Sequence, residues 1–163
     1  MKIRLATKED MNQVVVLIAK FRVEHKAIKG IKSAINTDQA RIEFIEYLES
    51  AFPIYLAIDE NEQILGYIVC RVDDDVVWVE SIYVNETERR NGVALKLFSK
   101  AEEVATDLGG DTLYNWVLPN NDKIISFLSK QGYNVLNMIE IRKPYDKEKI
   151  TNRIDVGNHH YLY

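Results

Sequence analysis

Arg89-Arg90-Asn91-Gly92-Val93-Ala94 stands between a β-branched run, Val76 to Val84, and an amphipathic stretch, Val93 to Leu108. A strand that turns sharply into a helix makes an anion cradle. The first turn of a helix leaves about four backbone N–H groups without intrahelical acceptors, and the aligned peptide dipoles add roughly half a positive charge there. Gly92 lets the main chain come close to a phosphate, and Ala94 keeps the next outward position open. The hexapeptide reads as a diphosphate-binding turn. Surface loops rich in Arg, Asn and Gly are common, so its weight depends on its neighbours.

Further along the chain reads Asn121-Asp122-Lys123-Ile124-Ile125-Ser126-Phe127-Leu128-Ser129-Lys130-Gln131-Gly132-Tyr133. The two segments, in this order, resemble the GNAT superfamily of acyl-CoA-dependent N-acyltransferases. That family's loop of Arg or Gln, two residues, Gly, one residue, then Gly or Ala is matched by Arg89, Gly92 and Ala94. Its Asn-led helix, ending in Lys, any residue, Gly and an aromatic, is matched by Asn121, Lys130, Gly132 and Tyr133. The resemblance implies one acyltransferase domain over 1–144. Residues 145–163 are left as a tail.

The 163 residues, 47% hydrophobic, suffice for one domain with a proper core and not for two. A formal net charge of −4 with scattered Lys and Arg argues against a nucleic-acid partner, while a small polyanion such as CoA remains compatible with a local cradle. The single cysteine, Cys70, lies in an apolar run and reads as a buried core thiol. Met1 to Leu5 has no apolar signal-peptide segment, and Val14 to Ala19 is too short to span a bilayer. The expectation is a cytoplasmic protein without a membrane partner.

Periodicity orders the elements as β-α-α-β-β-β-α-β-α-β. Lys2 to Ala6 alternates as a strand, and Thr7 and Asp10 open a helix with Met11, Val14, Val15, Ile18 and Phe21 on one face. After a connection over His25 to Asn36, Thr37 is the expected cap of a second helix that turns Ile42, Ile45 and Leu48 inward. Ile54 to Ile58, Ile64 to Arg71 and Val76 to Val84 form a meander, the last turn being Asp73-Asp74-Asp75. The third helix ends at Gly109-Gly110; Thr112 to Leu118 is a strand, Asn121 to Gln131 a helix, and Tyr133 to Arg142 a further strand. The pattern predicts an α/β fold, a three-layer α-β-α sandwich with a mixed, mostly antiparallel and centrally splayed sheet. Gly157-Asn158 suggests a hairpin in the tail, which would pack on its own domain or extend a partner's sheet in a homodimer.

The resemblance implies acetyl-CoA as co-substrate, no metal, and direct transfer of the acetyl group to a primary amine, either a small molecule or a peptide N-terminus. Cofactor contacts would then come from Ile82 and Val84 through main-chain atoms, from the turn Arg89, Arg90, Asn91, Gly92, Val93 and Ala94, and from Asn121 and Phe127. Ile82 and Val84 are also ordinary strand residues, Asn121 also a helix cap, and Phe127 also a core candidate. An amine with a solution pKa of about 10.4 is neutral in only about one molecule in two thousand at pH 7, so a base is needed. Glu80, in the apolar setting Val77-Trp78-Val79-Glu80-Ser81-Ile82, is the candidate base; it reads equally as a strand-edge carboxylate facing water or an ion-pair partner.

One position departs from the family pattern. Leu128 stands where many relatives carry the tyrosine that protonates the departing thiolate. An alternative reading is therefore an acyl-CoA-binding sensor or interaction module with little or no turnover. His25, His159 and His160 show no metal-ligand spacing, and no Ser-His-Asp arrangement is legible.

Overall fold

A computed structural model describes all residues from Met1 to Tyr163. The chain divides into two compact units, 1–116 and 117–163. The first holds β1 (Lys2–Leu5), α1 (Met11–Ile28), α2 (Thr37–Glu49), β2 (Ile54–Ile58), β3 (Ile64–Asp73), β4 (Val76–Val84), α3 (Val93–Asp107) and β5 (Leu113–Asn115). Its sheet runs β1-β2-β3-β4-β5, antiparallel throughout except for the parallel β4–β5 pair. This is the α/β architecture that the periodicity predicts.

The two faces of the sheet take different covers. Ile54, Leu56, Ile58, Tyr67, Val69 and Tyr83 share one face and pack with Val14, Ile18, Ala40 and Phe44 of α1 and α2. The alternate residues Ala57, Ile68, Cys70, Val77 and Val79 are buried on the other face, where α3 lies against β2, β3 and β4 with Val93, Leu97, Phe98 and Ala101 inward. β3 is therefore covered on both sides, and burial pushes the Cys70 thiol up to about 12, as befits an inert core cysteine.

Local signals explain the first helices. Asp10 accepts the Thr7 amide at 2.8 Å and both terminal nitrogens of Arg4 at 2.7 and 2.8 Å, so one carboxylate fixes the entry to α1 and ties it to β1. The sequence reading of α2 needs two corrections. Its cap is Asn36, whose side chain accepts the Gln39 amide at 2.9 Å, and Thr37 is already helical. Its inward face is Ala40, Glu43, Phe44 and Tyr47, while Ile42 is 50% exposed, because the two aromatics and an ion-paired glutamate fill the groove against α1. α1 also runs to Ile28, which shortens the connection expected from His25.

The second unit contains α4 (Asp122–Lys130) and a hairpin of β6 (Arg153–Val156) and β7 (His159–Leu162) turning at Gly157-Asn158. The strand expected over Tyr133 to Arg142 is not formed, and Val135, Leu136, Met138 and Ile141 are exposed. Apolar residues there fall on both alternating faces, a pattern that makes a strand only where a neighbour pairs its backbone and both faces are covered. No helix of the chain is long and apolar enough to cross a membrane.

Candidate active site

The turn after β4 has the geometry of a cradle. Gly92 caps α3 in the left-handed conformation at φ 77°, and Arg90 precedes it at φ 66°. The first amide of the helix with a main-chain acceptor is that of Lys96, which donates to the Gly92 carbonyl at 3.1 Å; none of the amides from Arg90 to Leu95 has a protein acceptor. A Cβ on Gly92 would meet nothing within 4 Å, so glycine serves the backbone angle and leaves the approach to these amides open. Unpaired donors at a dipole's positive end fit the oxygens of a diphosphate.

The strand leading there is open on one edge. β5 pairs with β4 only from Val77 to Val79, so Glu80 to Val84, including Ile82 and Val84, have no strand on that side. This is the splay the sequence predicts. On the other side β4 is bulged: Ser81 pairs with Val69 and Val79 with Cys70, leaving Glu80 as the extra residue. Such a bulge bends the strand and re-aims a side chain. Gly66 accommodates the close packing of β3 on β4 past the bulge, since a Cβ there would lie 2.6 Å from the Tyr83 carbonyl.

Glu80 lines a cavity of about 430 Å³ formed by α1, α2 and their connection. Three carboxylates, Glu43, Glu46 and Glu80, face two cations, Arg22 and Lys26. Arg22 closes on Glu43 through its Nε at 2.8 Å and a shorter contact from its terminal nitrogen, and the Tyr47 hydroxyl donates to the same carboxylate at 2.5 Å. Burial first, and that hydrogen bond second, raise the Tyr47 pKa far above the ordinary phenol range, so Tyr47 stays protonated. With Glu43 paired to Arg22, Glu46 and Glu80 outnumber Lys26 and leave the cavity one net negative charge. His25, stacked on Phe21 at 5.7 Å, is held below its ordinary pKa chiefly by burial.

Arg89, predicted as part of the cradle, is engaged elsewhere by its side chain. Its terminal nitrogen meets Glu24 at 2.6 Å and its Nε donates to the Val84 carbonyl at 3.0 Å, with the guanidinium over the Tyr83 ring. It fixes the start of the turn. In the second unit, Asn121 caps α4 by accepting the Ile124 amide at 3.5 Å, Phe127 is half-buried and Leu128 buried. Glu24, Arg22, Glu43 and Tyr47 were not legible as site residues. The available signal was Glu43 itself, a charged residue on the apolar stripe between Ala40 and Phe44.

Comparison with known proteins agrees with this architecture. The family model described as the GNAT family of acetyltransferases matches residues 24–133. The chain belongs to the GNAT acetyltransferase family. Among relatives, the Bacillus subtilis (strain 168) protein named "Putative phosphinothricin acetyltransferase YwnH" is 25% identical over 138 residues, 82% of this chain and 83% of its own. Among solved structures, the aminoglycoside N-acetyltransferase AAC(6')-Iy in complex with CoA has a TM-score of 0.72 at 17% identity, covering 88% of this chain and 93% of that one. The F44R mutant of the Bacillus halodurans protein BH1408 has a TM-score of 0.73 at 20% identity, covering 89% and 100%.

Proposed function

We propose that the protein transfers the acetyl group of acetyl-CoA to a primary amine held in the cavity between α1 and α2. The observation that carries this reading is a single strand serving two places: β4 presents Glu80 to an acidic cavity, ends about 13 Å further on at Val84 at ~3.3 Å per residue, and leads into the turn that carries the unpaired amides of Arg90 to Leu95. These amides hold the diphosphate, and the open edge at Ile82 and Val84 offers main-chain partners to the pantetheine arm.

Acetyl-CoA, when bound, supplies the activated thioester. The chain does the rest. Glu46 and Glu80 draw a protonated amine into the cavity, and Glu80, which accepts no hydrogen bond in the structure, receives its proton before attack. The Arg22–Glu43 pair holds the two helices that shape the cavity. The nitrogen adds to the thioester carbonyl and the C–S bond breaks; with leucine at position 128 no side chain there can deliver a proton, so the second proton shed by the nitrogen as it becomes an amide passes to the thiolate or to solvent. General acid assistance contributes about 10² to 10⁴ in rate where present, so turnover is expected to be modest. The test is thiol release from acetyl-CoA across small amines, polyamines, aminoglycosides and peptides with free N-termini. Release with one class supports the enzyme; CoA binding with no release across the panel supports the sensor reading that Leu128 favours.

A further inference from the structure

Three parts of the molecule meet at one carboxylate. Glu24, on α1, accepts the Tyr83 hydroxyl of β4 at 2.9 Å and the Arg89 guanidinium at 2.6 Å. Arg89 in turn holds the Val84 carbonyl at 3.0 Å and lies over the Tyr83 ring at 5.2 Å, immediately before the turn whose amides are unpaired. The same turn of α1 faces the other way as well. Arg22, Val23 and Lys26 line the cavity proposed for the amine, and all lie within about 3 Å of Glu24 along the helix axis.

The contacts on this path are directional. Glu24 and Arg89 are about one-third exposed, and the guanidinium has directional bonds on two edges, a geometry that a point charge would not reproduce. Ordering the turn around a diphosphate therefore orders Arg89, and through Arg89 it orders the last two turns of α1. The converse holds by linkage: an amine that steadies Arg22 to Lys26 steadies the cradle.

We propose that Glu24 is a positioning residue that couples the two binding sites, so that CoA bound at the cradle stiffens the wall of the amine cavity. This rests on the reading of the cradle and cavity given above. Hydrogen exchange of the whole protein, with and without saturating CoA, tests it without an amine being known. In the unaltered protein CoA is expected to slow exchange at Arg22 to Ile28 about fivefold or more, besides slowing it at the cradle. In Glu24→Ala, which removes the oxygen that accepts from both Tyr83 and Arg89, the slowing at the cradle persists, while that at Arg22 to Ile28 falls to less than about twofold.

Equal slowing at α1 in both proteins would overturn the proposal and leave Glu24 a merely structural residue, even if the variant melts earlier. No slowing at α1 in the unaltered protein, with CoA binding confirmed by calorimetry, would overturn it too. Should Glu24→Ala fail to fold, Glu24→Leu, which keeps a side chain of similar length on α1 but removes the same acceptor, gives the same reading. Failure of the unaltered protein to bind CoA at all would be a different result, since it removes the cradle as well as the coupling.

Discussion

The Nε of Arg22 donates to the Glu43 carboxylate at 2.8 Å, joining α1 to α2 through a glutamate that is only 8% exposed. Removing one partner of such a pair leaves the other charged group half-desolvated. Glu43→Ala is expected to cost about 2–3 kcal/mol, less than a fully buried pair because Arg22 is more than one-third exposed. Urea unfolding measures this, and a double variant, Arg22→Met with Glu43→Leu, should recover most of the loss. A single variant as stable as the parent would show that the pair does not hold the cavity wall.

Gly92→Val tests the cradle at its cap. A β-branched residue at φ 77° is strained by about 1–2 kcal/mol, yet its side chain meets open space, so the domain should still fold. CoA affinity should fall at least about tenfold, a difference of about 1.4 kcal/mol, because the side chain shields the amides and the helix entry shifts. Titration calorimetry reads the affinity and circular dichroism the fold.

Glu80→Gln tests the base. The amide keeps the shape of the bulge but cannot accept a proton, so kcat should fall by about 10² to 10⁴. Binding of CoA should stay within about twofold, since the cradle lies beyond the far end of β4. A kcat close to the parent's would reassign Glu80 to substrate attraction alone.

Asp10 sets a pH dependence. The Arg4 guanidinium, more than any other cause, holds its carboxyl below the ordinary carboxylate range. A depressed carboxyl contributes stability that is fully present above its unfolded value of about 3.9 and is lost as pH falls through the folded value. Asp10→Asn should therefore be less stable than the parent by about 2 kcal/mol near neutrality, and the gap should close in strong acid. Unfolding curves at pH 7 and at pH 2 measure both ends.

These residues also show what a sequence can and cannot reveal. β2 and β4 were legible to the residue because their β-branched runs are bounded by polar turns, and the start of α3 was legible because Gly92 marks the junction of two different periodicities. α2 was turned about its axis in the sequence reading, since Ile42 and Ile45 look more apolar than Glu43, and only the Arg22 partner, 21 positions away, makes Glu43 an inward residue. The bulge at Glu80 depends on the register with β3, which no local pattern records. The side-chain partner of Arg89 was not legible, because Glu24 lies 65 residues earlier in the chain. Val135 to Ile141 carries strand-forming residues without a partner for their backbone.

In the proposed function the unpaired amides at the start of α3 hold the diphosphate of CoA. Amide resonances followed by NMR during titration with CoA report this residue by residue. The largest shifts are expected on Arg90 to Leu95, with a single saturating affinity that Gly92→Val weakens. Saturating CoA that leaves those six resonances in place while moving others would contradict it.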